Sequence, residues 1–105
     1  MTYDPVHNYV YVANSLSDSI TVINAETRLV VTTITSSFLR PFHLAANPVT
    51  GKVYVVNFGG PSQNVAVLNG TAVSKVISLY DSKEPYGLAI DETRNLVYVA
   101  TVEPH

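Results

Sequence analysis

The chain repeats itself at a fixed interval. Tyr3-Asp4-Pro5 followed by Tyr11-Val12-Ala13-Asn14 returns as Ala46-Asn47-Pro48 followed by Tyr54-Val55-Val56-Asn57, and again as Ile90-Asp91 followed by Tyr98-Val99-Ala100-Thr101. Pro5 and Pro48 are 43 residues apart, as are Asn14 and Asn57, and Tyr54 and Tyr98 are 44 apart. A second phrase keeps the same beat, since Arg40-Pro41-Phe42-His43 and Glu84-Pro85-Tyr86-Gly87 are offset by 44. A period of roughly 40–50 residues filled with short apolar stretches is that of β-propeller blades, each a four-stranded antiparallel sheet. Such a repeat constrains the fold more than composition does, because every copy must pack against the next in the same way.

The middle copy predicts the unit in full. Leu44–Ala46 is a short strand ended by Asn47-Pro48-Val49-Thr50-Gly51, where proline removes a donor and glycine tolerates positive φ, so the segment reads as a hairpin turn. Lys52–Asn57, Asn64–Leu68 and Ser74–Leu79 are the next strands, separated by the loop 58–63 and the turn Asn69-Gly70. The first copy gives Met1–Tyr3, Asn8–Asn14, Ser19–Ile23 and Leu29–Ile34, and the third gives Leu88–Ile90 and Asn95–Thr101. The reading is therefore all-β, with essentially no helix: about two and a half four-stranded antiparallel blades of a larger ring. The blades are 1–43, 44–87 and the half-blade 88–105. Runs such as Tyr9–Ala13 and Val65–Leu68 lack the polar alternation of a sheet with one wet face, which predicts sheets buried on both faces. Tyr11, Tyr54 and Tyr98, one per copy inside these runs, are expected in the core between blades.

Propellers close with about 4–8 blades, and four blades at this period need about 172 residues against the 105 present. The expectation is a segment of a longer polypeptide whose remaining blades complete the ring. Several copies closing one ring, and an arc that survives alone, are the alternatives.

Composition narrows the partners. The formal charge is −2 with only six Lys plus Arg, so there is no basic footprint for nucleic acid or an anionic membrane. No apolar run approaches the ~18 residues that span a bilayer, which argues against membrane insertion. Cysteine is absent, which removes disulfides and thiolate metal sites from consideration. Charged residues make up only 13 %, and richness in Thr, Ser and Asn leans towards an exported protein. Asn69-Gly70-Thr71 fits a glycosylation acceptor pattern, though Asn-Gly is better explained as a turn.

Tyr-Val-x-Asn at 11–14 and 54–57, Ser19-Ile20-Thr21-Val22-Ile23-Asn24, Arg40-Pro41-Phe42, Pro85-Tyr86-Gly87-Leu88-Ala89-Ile90-Asp91 and Asn95-Leu96-Val97-Tyr98-Val99-Ala100 together resemble the YVTN family of β-propeller repeats. The resemblance runs through essentially the whole chain. It departs at Ala13 and Val56, where the family has Thr, at Thr101 in place of the last Asn, and at His43, where the family prefers the glycine seen at Gly87. The resemblance implies a ring-shaped propeller of an extracellular, cell-surface or periplasmic protein, related in shape to NHL-type propellers. It implies no single activity, because function resides in sites rather than folds. A non-enzymatic binding or structural scaffold for a protein or carbohydrate ligand is the preferred expectation. The rival is part of a lyase- or lactonase-type propeller enzyme with its site at the channel mouth.

The residues that would line that mouth lie on the loops entering each blade: Arg40, His43, Lys83, Glu84 and Tyr86, joined by Asn14–Asp18 and the loop 57–63. His43 has the chemistry of a base or ligand but reads as a loop histidine replacing glycine. Arg40 and Glu84 read as solvated charges or ion pairs between blades. Asp4, Asn47 and Asp91 recur at one strand end, where carboxylates in a ring would suit a cation but turn formation explains them more simply. His7 falls in a turn and His105 stands apart, so no metal-ligand spacing emerges. The sequence predicts no catalytic set, no metal and no cofactor.

Overall fold

In a computed structural model, residues 1–35, 41–57, 64–78 and 84–102 are described. The side chains of residues 42, 78, 84–87 and 99–102 lie outside that description. Among the described residues ten strands form in chain order: β1 (Thr2–Asp4), β2 (Tyr9–Asn14), β3 (Ser19–Asn24), β4 (Val30–Ile34), β5 (Pro41–Ala46), β6 (Lys52–Asn57), β7 (Asn64–Asn69), β8 (Ala72–Ser78), β9 (Glu84–Asp91) and β10 (Leu96–Val102). Each strand pairs antiparallel with its sequence neighbour, giving sheets β1–β4, β5–β8 and β9–β10. The architecture is all-β. Among the described residues the one helical element is a 3-10 turn at Ser15–Ser17, closed by Asp18 at a φ of 51°. The sequence reading did not foresee that turn. None of the described helical structure is long and apolar enough to cross a membrane.

β5 starts at Pro41 and β9 at Glu84, earlier than the predicted Leu44 and Leu88. A proline is admissible there because it is the first residue of β5 and the second of β9, both edge strands, where its missing donor leaves little of the ladder unpaired. Both strands also carry a bulge just past the proline. Phe42 has no partner in the β5–β6 register and Tyr86 none in the β9–β10 register. A bulge absorbs an extra residue and bends its strand. A second bulge recurs at Val31 in β4 and Ser74 in β8. The period is thus present in backbone irregularities as well as in side chains.

The three sheets stack in chain order and approach most closely through their first strands, β5 against β1 and β2, and β9 against β5 and β6. Between the first two sheets lie Tyr11, Ile20 and Val22 on one side and Val53, Val55, Ala66 and Leu68 on the other, all fully buried. Between the second and third lie Tyr54, Val65 and Val67, packed by Leu88, Ile90 and Val97. Alternate residues of β6 therefore point into different interfaces, and everything from Val53 to Asn57 is buried. The expected double burial holds for the two middle strands of this sheet, β6 and β7, while β8 is largely exposed. In β2 only Tyr11 is fully buried, and Val10 and Val12 are partly exposed because no sheet among the described residues covers their face.

Tyr98 departs from expectation. It is 53 % exposed, whereas Tyr11 is at 0 % and Tyr54 at 8 %. Tyr11 and Tyr54 each face the sheet that follows their own, and among the described residues no sheet follows the third.

Candidate functional site

The antiparallel order places the β1–β2, β3–β4, β5–β6, β7–β8 and β9–β10 turns at one end of the stack, the tight-turn end, and the other connections, from the short 15–18 to the six-residue 58–63, at the opposite end. At the tight-turn end, the β1–β2, β5–β6 and β9–β10 turns share one construction. Asp4, Asn47 and Asp91 accept through Oδ1 from the backbone N–H two residues on, at Val6 (2.9 Å), Val49 (2.9 Å) and Thr93 (3.2 Å). The last turn residue is left-handed each time, with φ of 60° at Asn8, 75° at Gly51 and 56° at Asn95. Asn and Gly are the residues that adopt this conformation at low cost. The recurring Asx residues are turn formers, and no group of three or more metal-ligating side chains exists among the described residues.

One titratable cluster stands out at this end. Asp4 is fully buried, and its Oδ2 lies 2.5 Å from Nδ1 of His7, whose side chain is 30 % exposed. The His7 ring stacks on Tyr9 at 5.9 Å and 17°. It also presses against the second sheet: a Cβ on Gly51 would come within 2.7 Å of Val6 Cβ and 3.0 Å of His7 Cε1, and one on Gly70 within 3.6 Å of His7 Nε2. Gly51 is glycine for a reason the other copies do not share, since Asn occupies the same left-handed position at 8 and 95. Beside it, the buried Tyr11 hydroxyl donates to the Gly70 carbonyl at 2.8 Å, tying the first sheet to the β7–β8 turn. Burial, then the charge of Asp4, then Tyr9, push the Tyr11 phenol well above its ordinary range, so it remains a neutral donor. Asn47 Nδ2 makes the matching reach to Asn95 Oδ1 in the third sheet at 3.3 Å.

An Asp–His pair can orient an imidazole for base chemistry. Here the imidazole packs against Tyr9 and the turns at Gly51 and Gly70, and the Tyr11 hydroxyl of the same cluster is already committed to a carbonyl. The cluster is an inter-sheet clasp. Sequence reasoning missed it by reading His7 as an isolated turn residue. The available signals were Asp4 three residues before His7, and a glycine at 51 where the other copies have asparagine.

At the opposite end, Asn14 Nδ2 donates to Thr21 Oγ1 at 2.8 Å and Asn57 Nδ2 to Asn64 Oδ1 at 2.6 Å. The asparagine that closes each Tyr-Val-x-Asn phrase therefore bridges the second and third strands of its sheet. His43 lies exposed on β5 opposite Val56. β5 runs beside β9, which places His43 and the Glu84–Gly87 backbone on neighbouring strands. Arg40 and Lys83 lie outside the described residues, as do the side chains of Glu84 and Tyr86, so the five predicted channel-mouth residues are represented here by His43 and the β9 backbone.

Comparison with models of known protein families, and with curated proteins, found no match.

Proposed function

We propose that this chain is a run of blades from a β-propeller of the YVTN kind, exported or displayed at the cell surface, that works as a binding or structural scaffold. The observation that carries the reading is the use made of the recurring polar groups. Asp4, Asn47, Asp91, Tyr11 and His7 shape turns or join sheets, which is a structural assignment for the most chemically capable residues described. The burial of β6 and β7 on both faces, with neighbouring sheets closest at their first strands, supports the propeller arrangement, in which blades fan out from a common axis.

The end opposite the clasp is the proposed ligand face. Exposed His43 lies there beside the recurring bulges at Phe42 and Tyr86, and Arg40, Lys83 and Glu84 adjoin them in sequence. A bulge re-aims a strand and is over-represented beside binding sites. A protein or carbohydrate ligand suits a face with one histidine, repeated aromatic residues and few charges. The test is a lactone and lyase substrate panel with metal analysis, run beside a glycan and protein binding screen on the wild type, His43→Ala and Tyr86→Ala. The expected result is no turnover, and a bound ligand whose affinity falls in both variants. Turnover that disappears with His43→Ala would instead make this end an active site.

A further inference from the structure

The β3–β4 and β7–β8 turns start from the same place in the repeat and use their polar groups differently. In the first sheet the strand ends on Asn24, whose Oδ1 accepts from the N–H groups of Glu26 at 2.9 Å and Thr27 at 3.1 Å. The N–H of Ala25, which comes next, donates to the Asn8 carbonyl at 3.0 Å. In the second sheet the equivalent strand ends on Asn69, and only Gly70 and Thr71 separate it from β8. Here the same two groups are idle: among the described residues neither the Asn69 side chain nor the Gly70 N–H makes a hydrogen bond. Asn69 is exposed, and it is the one asparagine of the chain that a glycine follows. Gly70 itself is buried at a φ of 64°, with its carbonyl accepting from the Tyr11 hydroxyl at 2.8 Å.

We propose that Asn69-Gly70 is a self-modifying site, where loss of the side-chain amide releases the Tyr11 tie between the first two sheets. The Gly70 nitrogen attacks Cγ of Asn69, the new N–C bond closes a succinimide ring, and the carboxamide nitrogen leaves as ammonia. Water then opens the ring at either carbonyl. One product is aspartate; the other is isoaspartate, in which the main chain runs through the former side chain. No oxidant or enzyme is required. Gly70 has no Cβ to obstruct the approach, and neither reacting group has a hydrogen bond to give up among the described residues. Isoaspartate adds a methylene to the main chain between β7 and Gly70. A tight hairpin turn fixes the register of its strands, so the added atom displaces the Gly70 carbonyl from the Tyr11 hydroxyl. That hydroxyl belongs to a fully buried residue and is left without its acceptor. The inference concerns the docking of the first two sheets and is independent of the scaffold role.

The test is to age the folded protein at mildly alkaline pH, beside a sample unfolded in urea, and to map asparagine, aspartate and isoaspartate by peptide mass spectrometry. Acid forms should accumulate at Asn69 ahead of every other asparagine in the folded sample. The isoaspartate fraction, purified and unfolded in urea, should show an unfolding equilibrium constant raised about 5–30-fold over fresh protein. Asn69→Asp, which gains the charge without the added methylene, should stay near the fresh protein. Ageing should cost Tyr11→Phe little further stability, because the tie is already gone. Where Tyr11→Phe does not fold, amide exchange of β3 and β7 in aged and fresh wild type serves instead, and should quicken in the isoaspartate form. Asn69 intact in the folded sample while it reacts in urea overturns the site, since the turn then holds the two groups apart. An isoaspartate form as stable as fresh protein, or one whose loss is undiminished in Tyr11→Phe, overturns the release of the tie.

Discussion

Tyr11 shows how one residue serves two levels of structure. Its ring fills the first interface while its hydroxyl ties that interface to the next sheet's turn. Because burial raises its folded-state pKa above the ordinary 10.0, the neutral phenol is the form the fold favours. The stability that follows is fully present below pH 10 and is lost as pH rises beyond it. Tyr11→Phe keeps the ring and removes the hydroxyl, leaving the Gly70 carbonyl unpaired. The variant should lose about 1–2 kcal/mol at neutral pH and show a flatter stability profile above pH 10, measured by urea unfolding across pH. A wild-type profile just as flat would mean that the phenol ionises freely in the fold.

At the scale of the element, equivalent strands meet different fates. β2, β6 and β10 carry the same phrase, yet only β6 lies between two sheets. Tyr54→Ala should cost about 3–5 kcal/mol, as large-to-small changes of buried aromatics do. Tyr98→Ala, at an exposed position, should stay within about 0.5 kcal/mol. Chemical denaturation of both variants checks this, and equal costs would refute the directional stacking. The bulges make the same point about backbone. Pro41 and Pro85 were visible as a repeated phrase, but the extra residue after each shows only in the strand register, because a bulge is defined by the partner strand.

For the whole molecule, stability should grade outward from the central sheet. β6 and β7 are buried on both faces, whereas β4 is an exposed edge and β10 has one open side. Hydrogen exchange should accordingly be slowest at the inner amides of β6 and fastest at the edges of β4 and β10, spanning most of the range between local fraying and global unfolding. Uniform exchange across the three sheets would show that they unfold as one unit and that the gradient in burial carries no energetic weight.

The period of 43 and 44 residues, the strand-rich composition and the turn residues were enough to specify ten antiparallel strands in three sheets, because strand periodicity and turn chemistry are local properties. The Asx turns at Asp4, Asn47 and Asp91 were legible for the same reason. Of the candidate ligand face, the sequence disclosed which residues recur, but not their mutual placement. Which face of each strand is dry, why Gly51 differs from Asn8 and Asn95, and how His7 comes to clasp the second sheet were decided only in three dimensions. Each depends on what a neighbouring sheet brings within contact distance, and that information is held at positions some 43 residues away in the chain.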